Sequence, residues 1–199
     1  MNDVRFYKLL IAVNALLPLV LLIFDWASGR LGPNPIEFFL RATGVLTLSF
    51  LLITLAVTPL RKLFGWNQLI KYRRMLGLFA FFYVCVHLIT YSIFDKNLGF
   101  SAIVDDVIQR PFIAVGMIAF AMLVPLAITS TNKMLKRLGG KTWARLHKLT
   151  YAAAALGVIH FWMIVKSDIF YPALFGLVLA VSLLIRLVWV KRPVPQKAS

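Results

Sequence analysis

The sequence predicts an all-α integral membrane protein, a bundle of six transmembrane helices with both termini in the cytoplasm. Three observations predict it. The 199 residues are 61% hydrophobic and only 15% charged, with a mean hydropathy of +0.84, whereas soluble domains run near half apolar and a quarter charged. Six apolar runs are long enough to cross a hydrocarbon core of roughly 30 Å as helices. The basic residues then sort by the side on which these runs end.

In chain order, the first span covers residues 9–26. It follows Arg5 and Lys8 and runs into Asp25 and Trp26, and it reads as a retained span rather than a cleaved signal segment. The outer loop GRLGPNPIEF is too short and too rich in Gly and Pro to fold alone. Span two covers 42–60 and span three 75–94. A second outer loop, DKNLGFSAIVDDVIQRP, is expected to hold one helical turn. Span four covers 112–130. The inner loop STNKMLKRLGGKTWARLHK follows, in which Gly139 and Gly140 are expected to end one short helix before another begins. Spans five and six cover 149–165 and 171–190, and residues 191–199 read as a disordered basic tail. Pro18 and Pro125 fall inside spans, where membrane helices tolerate proline. All 199 residues are read as one domain.

The net charge of +15 would suggest a nucleic-acid partner in a soluble protein, but topology accounts for it. Only Arg30, Arg41, Lys96, Arg110 and Lys166 of the 22 Lys and Arg fall on the outer side. Asp25, Glu37, Asp95, Asp105, Asp106 and Asp168 lie there too. The Lys/Arg bias sets orientation and places both termini inside. No nucleic acid is needed.

Histidine is the informative residue type. There are three, and an ionisable side chain within a membrane span marks a functional site by default. His87 lies about 13 residues beyond the inner start of span three, and His160 about 12 beyond the inner start of span five. At 1.5 Å per residue the two reach similar depths. Two neutral imidazoles from facing helices of a bundle can hold one iron axially, so His87 and His160 are the expected ligands of a haem. The single cysteine, Cys85, rules out a CxxCH attachment, so that haem is of the non-covalent b type.

His147 precedes His160 by thirteen residues. It is expected about 20 Å back along the same helix, near the inner interface. It has two readings, an ordinary interfacial histidine or the ligand of a second haem. Thirteen residues turn an ideal helix by about 220°, so His147 and His160 would face differently unless the helix is irregular between them. On span three the matching depth falls at Arg74 or Arg73. Arginine stays protonated and is a poor iron ligand, so these two are positive-inside residues or, with a second haem, partners of its propionates. Two rivals carry no haem: a proton or metal transporter using the histidines, and a plain membrane anchor. The transporter needs further polar groups, and no carboxylate falls in the middle of a span.

Several segments together carry a family resemblance: RATG at 41–44, ITLAVTPLRK closing span two, RRMLGL before His87, TSTNKMLKRLGGKTWARLHKLTY at 129–151, and His160. Over nearly its whole length the chain resembles the MsrQ (YedZ) family, the haem-binding membrane subunits of a bacterial methionine sulfoxide reductase system. That family is a trimmed relative of the ferric reductase-like transmembrane domain. The resemblance implies a multi-pass inner-membrane electron carrier with haem b, one or two, and FMN. It implies electrons from the quinone pool or a cytosolic flavin reductase, and a periplasmic molybdopterin enzyme, MsrP, as acceptor. MsrP reduces methionine sulfoxide and so repairs oxidised periplasmic proteins; the membrane subunit does not itself act on sulfur. Arg73 and Arg74 depart from the paired-histidine pattern of the wider superfamily.

Overall fold

A computed structural model describes residues 3–165 and 167–190, and the side chains to residue 188. The predicted tail at 191–199, with Lys191, Arg192 and Lys197, lies outside the described residues, as does Lys166. Among the described residues there is no strand. The helices are α1 (Asp3–Ala27), α2 (Pro35–Phe64), α3 (Arg73–Thr90), α4 (Phe100–Gln109), α5 (Pro111–Ile128), α6 (Asn132–Leu138), α7 (Gly140–Leu146), α8 (Leu149–Ile164) and α9 (Phe170–Val190). A 3-10 turn, Asn67–Lys71, leads into α3, and a π-helical turn, Tyr91–Asp95, extends it.

Among the described residues, five helices are long and apolar enough to cross a membrane: Asp3–Ala27, Pro35–Phe64, Arg73–Asp95, Pro111–Ile128 and Phe170–Val188. The remaining run counted from the sequence, 149–165, forms α8. Its sixteen residues extend about 24 Å at the standard rise.

Helix α2 is the central post. Half of its apolar window is buried, against 6% for α1. It starts where Asn34 Oδ1 accepts the Glu37 backbone N–H at 3.2 Å, with Pro35 in the first turn. Both features favour a helix start. It stops at Gly65, whose φ of 71° is the left-handed cap that glycine adopts at low cost. Helix α3 packs along α2 and α8 packs along α5, with α9 against α2 and α8. Leu51, Ala80, Leu123, Leu126 and Ala153 form the core where α2, α3, α5 and α8 meet. Tyr83 is fully buried, and its hydroxyl donates to the Ala15 carbonyl at 2.5 Å, tying α1 to α3.

Pro59 lies inside α2 and has no N–H, so the Leu55 carbonyl four residues earlier loses its helical partner. Arg186 of α9 supplies the missing donor, with its guanidinium 2.5 Å from Leu55 O and 2.6 Å from the Tyr151 hydroxyl. A buried backbone acceptor is thereby satisfied by a side chain from another helix.

Two expectations are corrected here. The second outer loop holds a ten-residue helix, α4, rather than one turn. It is anchored by Asp106, which accepts from Lys96 at 2.6 Å and from the Tyr91 hydroxyl at 2.9 Å. The second correction concerns His147, which does not share a helix with His160. Helix α7 ends at Leu146, a turn carries His147 and Lys148, and α8 begins at Leu149. The glycine expectation stands, since α6 ends at Leu138, Gly139 has φ 73°, and α7 begins at Gly140.

A candidate functional site between two histidines

His87 on α3 and His160 on α8 face each other across a cavity of about 320 Å³. Their ring centroids are 6.4 Å apart and their planes 86° apart. Away from the histidines its closed end is mostly apolar, with Leu48, Leu51, Phe120, Leu123 and Ala153 among its residues.

Each imidazole is held from behind by a backbone carbonyl. His87 Nδ1 lies 3.0 Å from Leu40 O, and His160 Nδ1 lies 2.6 Å from Phe112 O. A carbonyl oxygen only accepts, so both Nδ1 atoms carry the proton and donate it. Both Nε2 atoms therefore hold a lone pair. This is the arrangement in which metal-ligating histidines are kept, with the far nitrogen donating to a fixed acceptor. Thr43 Oγ1 lies 3.3 Å from His87 Nδ1 and donates to Phe39 O at 2.8 Å.

The two half-sites repeat one design. His87 follows its carbonyl partner by 47 residues and His160 follows its own by 48. In both cases a glycine stands four residues beyond the carbonyl on the same helix, Gly44 after Leu40 and Gly116 after Phe112. Both glycines abut the imidazole. A Cβ on Gly116 would lie 2.9 Å from His160 Cε1 and Nδ1, and one on Gly44 would lie 3.4 Å from His87 Cε1.

His147 sits at a second cavity of about 260 Å³, lined also by Arg73, Arg74, Gly77 and Trp143. The Trp143 indole stacks on it at 3.7 Å. Its Nε2 lies 3.1 Å from Thr129 Oγ1, whose own proton goes to Pro125 O at 2.6 Å. Nε2 therefore donates, and only Nδ1 keeps a lone pair, the reverse of the outer pair. Burial, and then the charges of Arg73 and Arg74, lower its pKa to about 4, so the ring is neutral at pH 7. Arg74 NH1 donates to Asn132 Oδ1 at 2.5 Å, bridging α3 and α6.

The structure thus brings His87 and His160 together and places His147, Arg73 and Arg74 at a separate cavity. Sequence reasoning missed the carbonyls of Leu40 and Phe112, Thr43, and the two glycines. The near-equal spacing from each glycine to its histidine was a signal that could have found the glycines. Among the described residues, no group of three or more His, Cys, Asp or Glu could hold a bare metal ion.

The profile described as "Ferric reductase like transmembrane component" matches residues 42–158, which include His87 and His147. Three relatives share the description "Protein-methionine-sulfoxide reductase heme-binding subunit MsrQ". The protein from Herminiimonas arsenicoxydans is 52% identical, over 92% of this chain and 84% of its own. That from Rhodospirillum rubrum is 48% identical, over 92% and 88%, and that from Ralstonia nicotianae 44%, over 99% and 92%. The chain belongs to the MsrQ family of ferric reductase-like transmembrane proteins.

Proposed function

We propose that this protein binds one haem b between His87 and His160 and carries electrons across the bacterial inner membrane to a periplasmic MsrP-type methionine sulfoxide reductase. The observation that carries the reading is the pair of imidazoles lining one cavity, each with its Nδ1 held by a backbone carbonyl. The spacing fits. With a metal–nitrogen bond of about 2.0–2.1 Å, as for imidazole on zinc, and a ring centre roughly 1.1 Å behind the nitrogen, two imidazoles holding one metal between them would stand about 6.3 Å apart. The separation in the structure is 6.4 Å. With no third metal-binding side chain grouped with the pair among the described residues, a metal that brings its own macrocycle suits the site better than a bare ion in transit. The transporter reading is weaker for that reason.

When bound, haem supplies a one-electron couple. The protein's part is to position and tune it. The carbonyls of Leu40 and Phe112 fix both tautomers and make the ligating nitrogens more basic. A haem held by both imidazoles would serve electron transfer rather than dioxygen chemistry. The apolar wall keeps water from the centre.

His147 spends Nε2 on Thr129, which favours the interfacial role over a second haem. No residue is assigned to FMN. In the proposed topology α8 is the sixth span, entered through the turn at His147, both termini are cytoplasmic, and the outer loops face the periplasm. Electrons enter from the quinone pool or a cytosolic flavin reductase.

The test is reoxidation. Protein reduced in proteoliposomes and mixed with MsrP should hold its reduced spectrum until methionine sulfoxide is added, and then lose it. Reduced haem that persists with both present would contradict the proposal.

A further inference from the structure

The cavity between the histidines is chemically lopsided. Its four lining residues with charged side chains are Glu37, Arg41, Asp95 and Arg110. All stand at one end, where α2 begins, α3 runs into its π turn and α5 begins. The other end closes on Leu51, Leu123 and Ala153, none more than 5% exposed.

At the charged end the carboxylates are engaged, while each guanidinium keeps donors to spare. Glu37 Oε1 accepts Arg41 Nε at 2.8 Å and NH2 at 2.6 Å, and Oε2 accepts Asn34 Nδ2 at 2.9 Å. Asp95 faces Lys96 at 3.3 Å. Asp106, beside the mouth, takes Lys96 and Tyr91 on one oxygen and faces Arg110 Nε at 3.5 Å with the other. A guanidinium offers five N–H donors. Among the described residues these contacts engage two on Arg41 and one on Arg110, and both side chains border the cavity.

We infer that Arg41 and Arg110 bind the two carboxylate arms of the haem held between His87 and His160, and so fix its carboxylate edge toward the outer mouth. The inference rests on the haem reading of that cavity and goes beyond it by assigning two further binding residues and an orientation. The opposite orientation would press two carboxylates against Leu51, Leu123 and Ala153, where no donor faces them, and burying an unpaired charge is costly. Arginine suits the task because its planar fork matches a carboxylate. The outward edge is also the one nearest an acceptor on that side.

The experiment uses the purified haem-loaded protein and the variants Arg41→Gln, Arg110→Gln, Arg41→Lys and Arg110→Lys. Arg30→Gln is the control, since Arg30 is an outer arginine paired with Asp25 and absent from the cavity wall. Absorption reads the histidine ligation, resonance Raman reads the haem carboxylate bending band, and a redox titration reads the midpoint potential. Both Gln variants should stay low-spin, shift the bending band and lower the potential, because a nearby cation favours the reduced haem. The Lys variants should shift the band and keep the potential close to wild type. Arg30→Gln should change neither. A bending band unmoved in every Arg41 and Arg110 variant would overturn the inference, as would a control that shifts band and potential equally. Wild-type protein that purifies without haem would instead overturn the reading of the cavity itself.

Discussion

Gly116 and His160 are in closer contact than any other residue type at position 116 would permit. A Cβ there would lie 2.9 Å from two atoms of the imidazole, inside any real carbon contact. Gly116→Ala should therefore push His160 off its Phe112 hydrogen bond. The expected result is loss of most low-spin haem, seen as a high-spin or much weakened absorption spectrum. Gly44→Ala meets His87 at 3.4 Å and should keep most of its haem. Equal behaviour of the two variants would show that the close approach at Gly116 does not position the ring.

Arg186 and Pro59 form a second coupled pair. Removing the guanidinium with Arg186→Met leaves Leu55 O without a donor, at a cost of about 1–3 kcal/mol. Pro59→Ala restores an N–H four residues after Leu55. The double variant should recover part of the thermal stability that Arg186→Met loses in detergent, whereas purely additive losses would mean that the two residues are not linked through that carbonyl.

The anchor of α4 responds to pH with a definite sign. Hydrogen bonding from Lys96 lowers the pKa of Asp106, and Asp106 in turn raises that of Lys96. The carboxylate's contribution is present above its unfolded pKa near 3.9 and is lost as pH falls through its lowered folded value. The ammonium's contribution is present below its unfolded pKa near 10.4 and is lost as pH rises through its raised one. Protection factors of residues 100–109, corrected for the intrinsic pH dependence of amide exchange, should be flat across neutral pH and fall only at the acid and alkaline extremes. Asp106→Asn should raise exchange at pH 7 by roughly tenfold, in line with a charged hydrogen bond of about 1.5–3 kcal/mol; no change would remove Asp106 as the anchor.

His147→Ala should leave the haem-to-protein ratio unchanged, in keeping with an interfacial role in which Nε2 bonds Thr129 and the ring stacks on Trp143. Loss of about half the haem would establish a second haem at the second cavity.

Much of this architecture was legible because membrane burial writes itself into composition. The apolar runs located the long helices, and equal depth from the basic inner ends paired His87 with His160. The phase conflict between His147 and His160 was legible as well. The structure answers it with a turn at His147 and Lys148 that ends one helix and starts another. The partners that orient the imidazoles were not legible, because Leu40 and Phe112 act through backbone carbonyls and any side chain supplies one. Arg186 read as a basic residue near an inner end. Only three-dimensional packing shows it beneath the carbonyl that Pro59 leaves open. Helix α4 was underestimated because Asp105 and Asp106 interrupt its apolar residues, and Asp106 turns out to be its tether.

The most direct test of the central claim is a dithionite-reduced-minus-oxidised spectrum of the purified protein, with haem quantified against protein, for wild type, His87→Ala and His160→Ala. The account predicts a sharp b-type α band with about one low-spin haem per chain in wild type and loss of that low-spin signal in both variants. A colourless wild-type protein, or a variant that keeps its full low-spin haem, would contradict it.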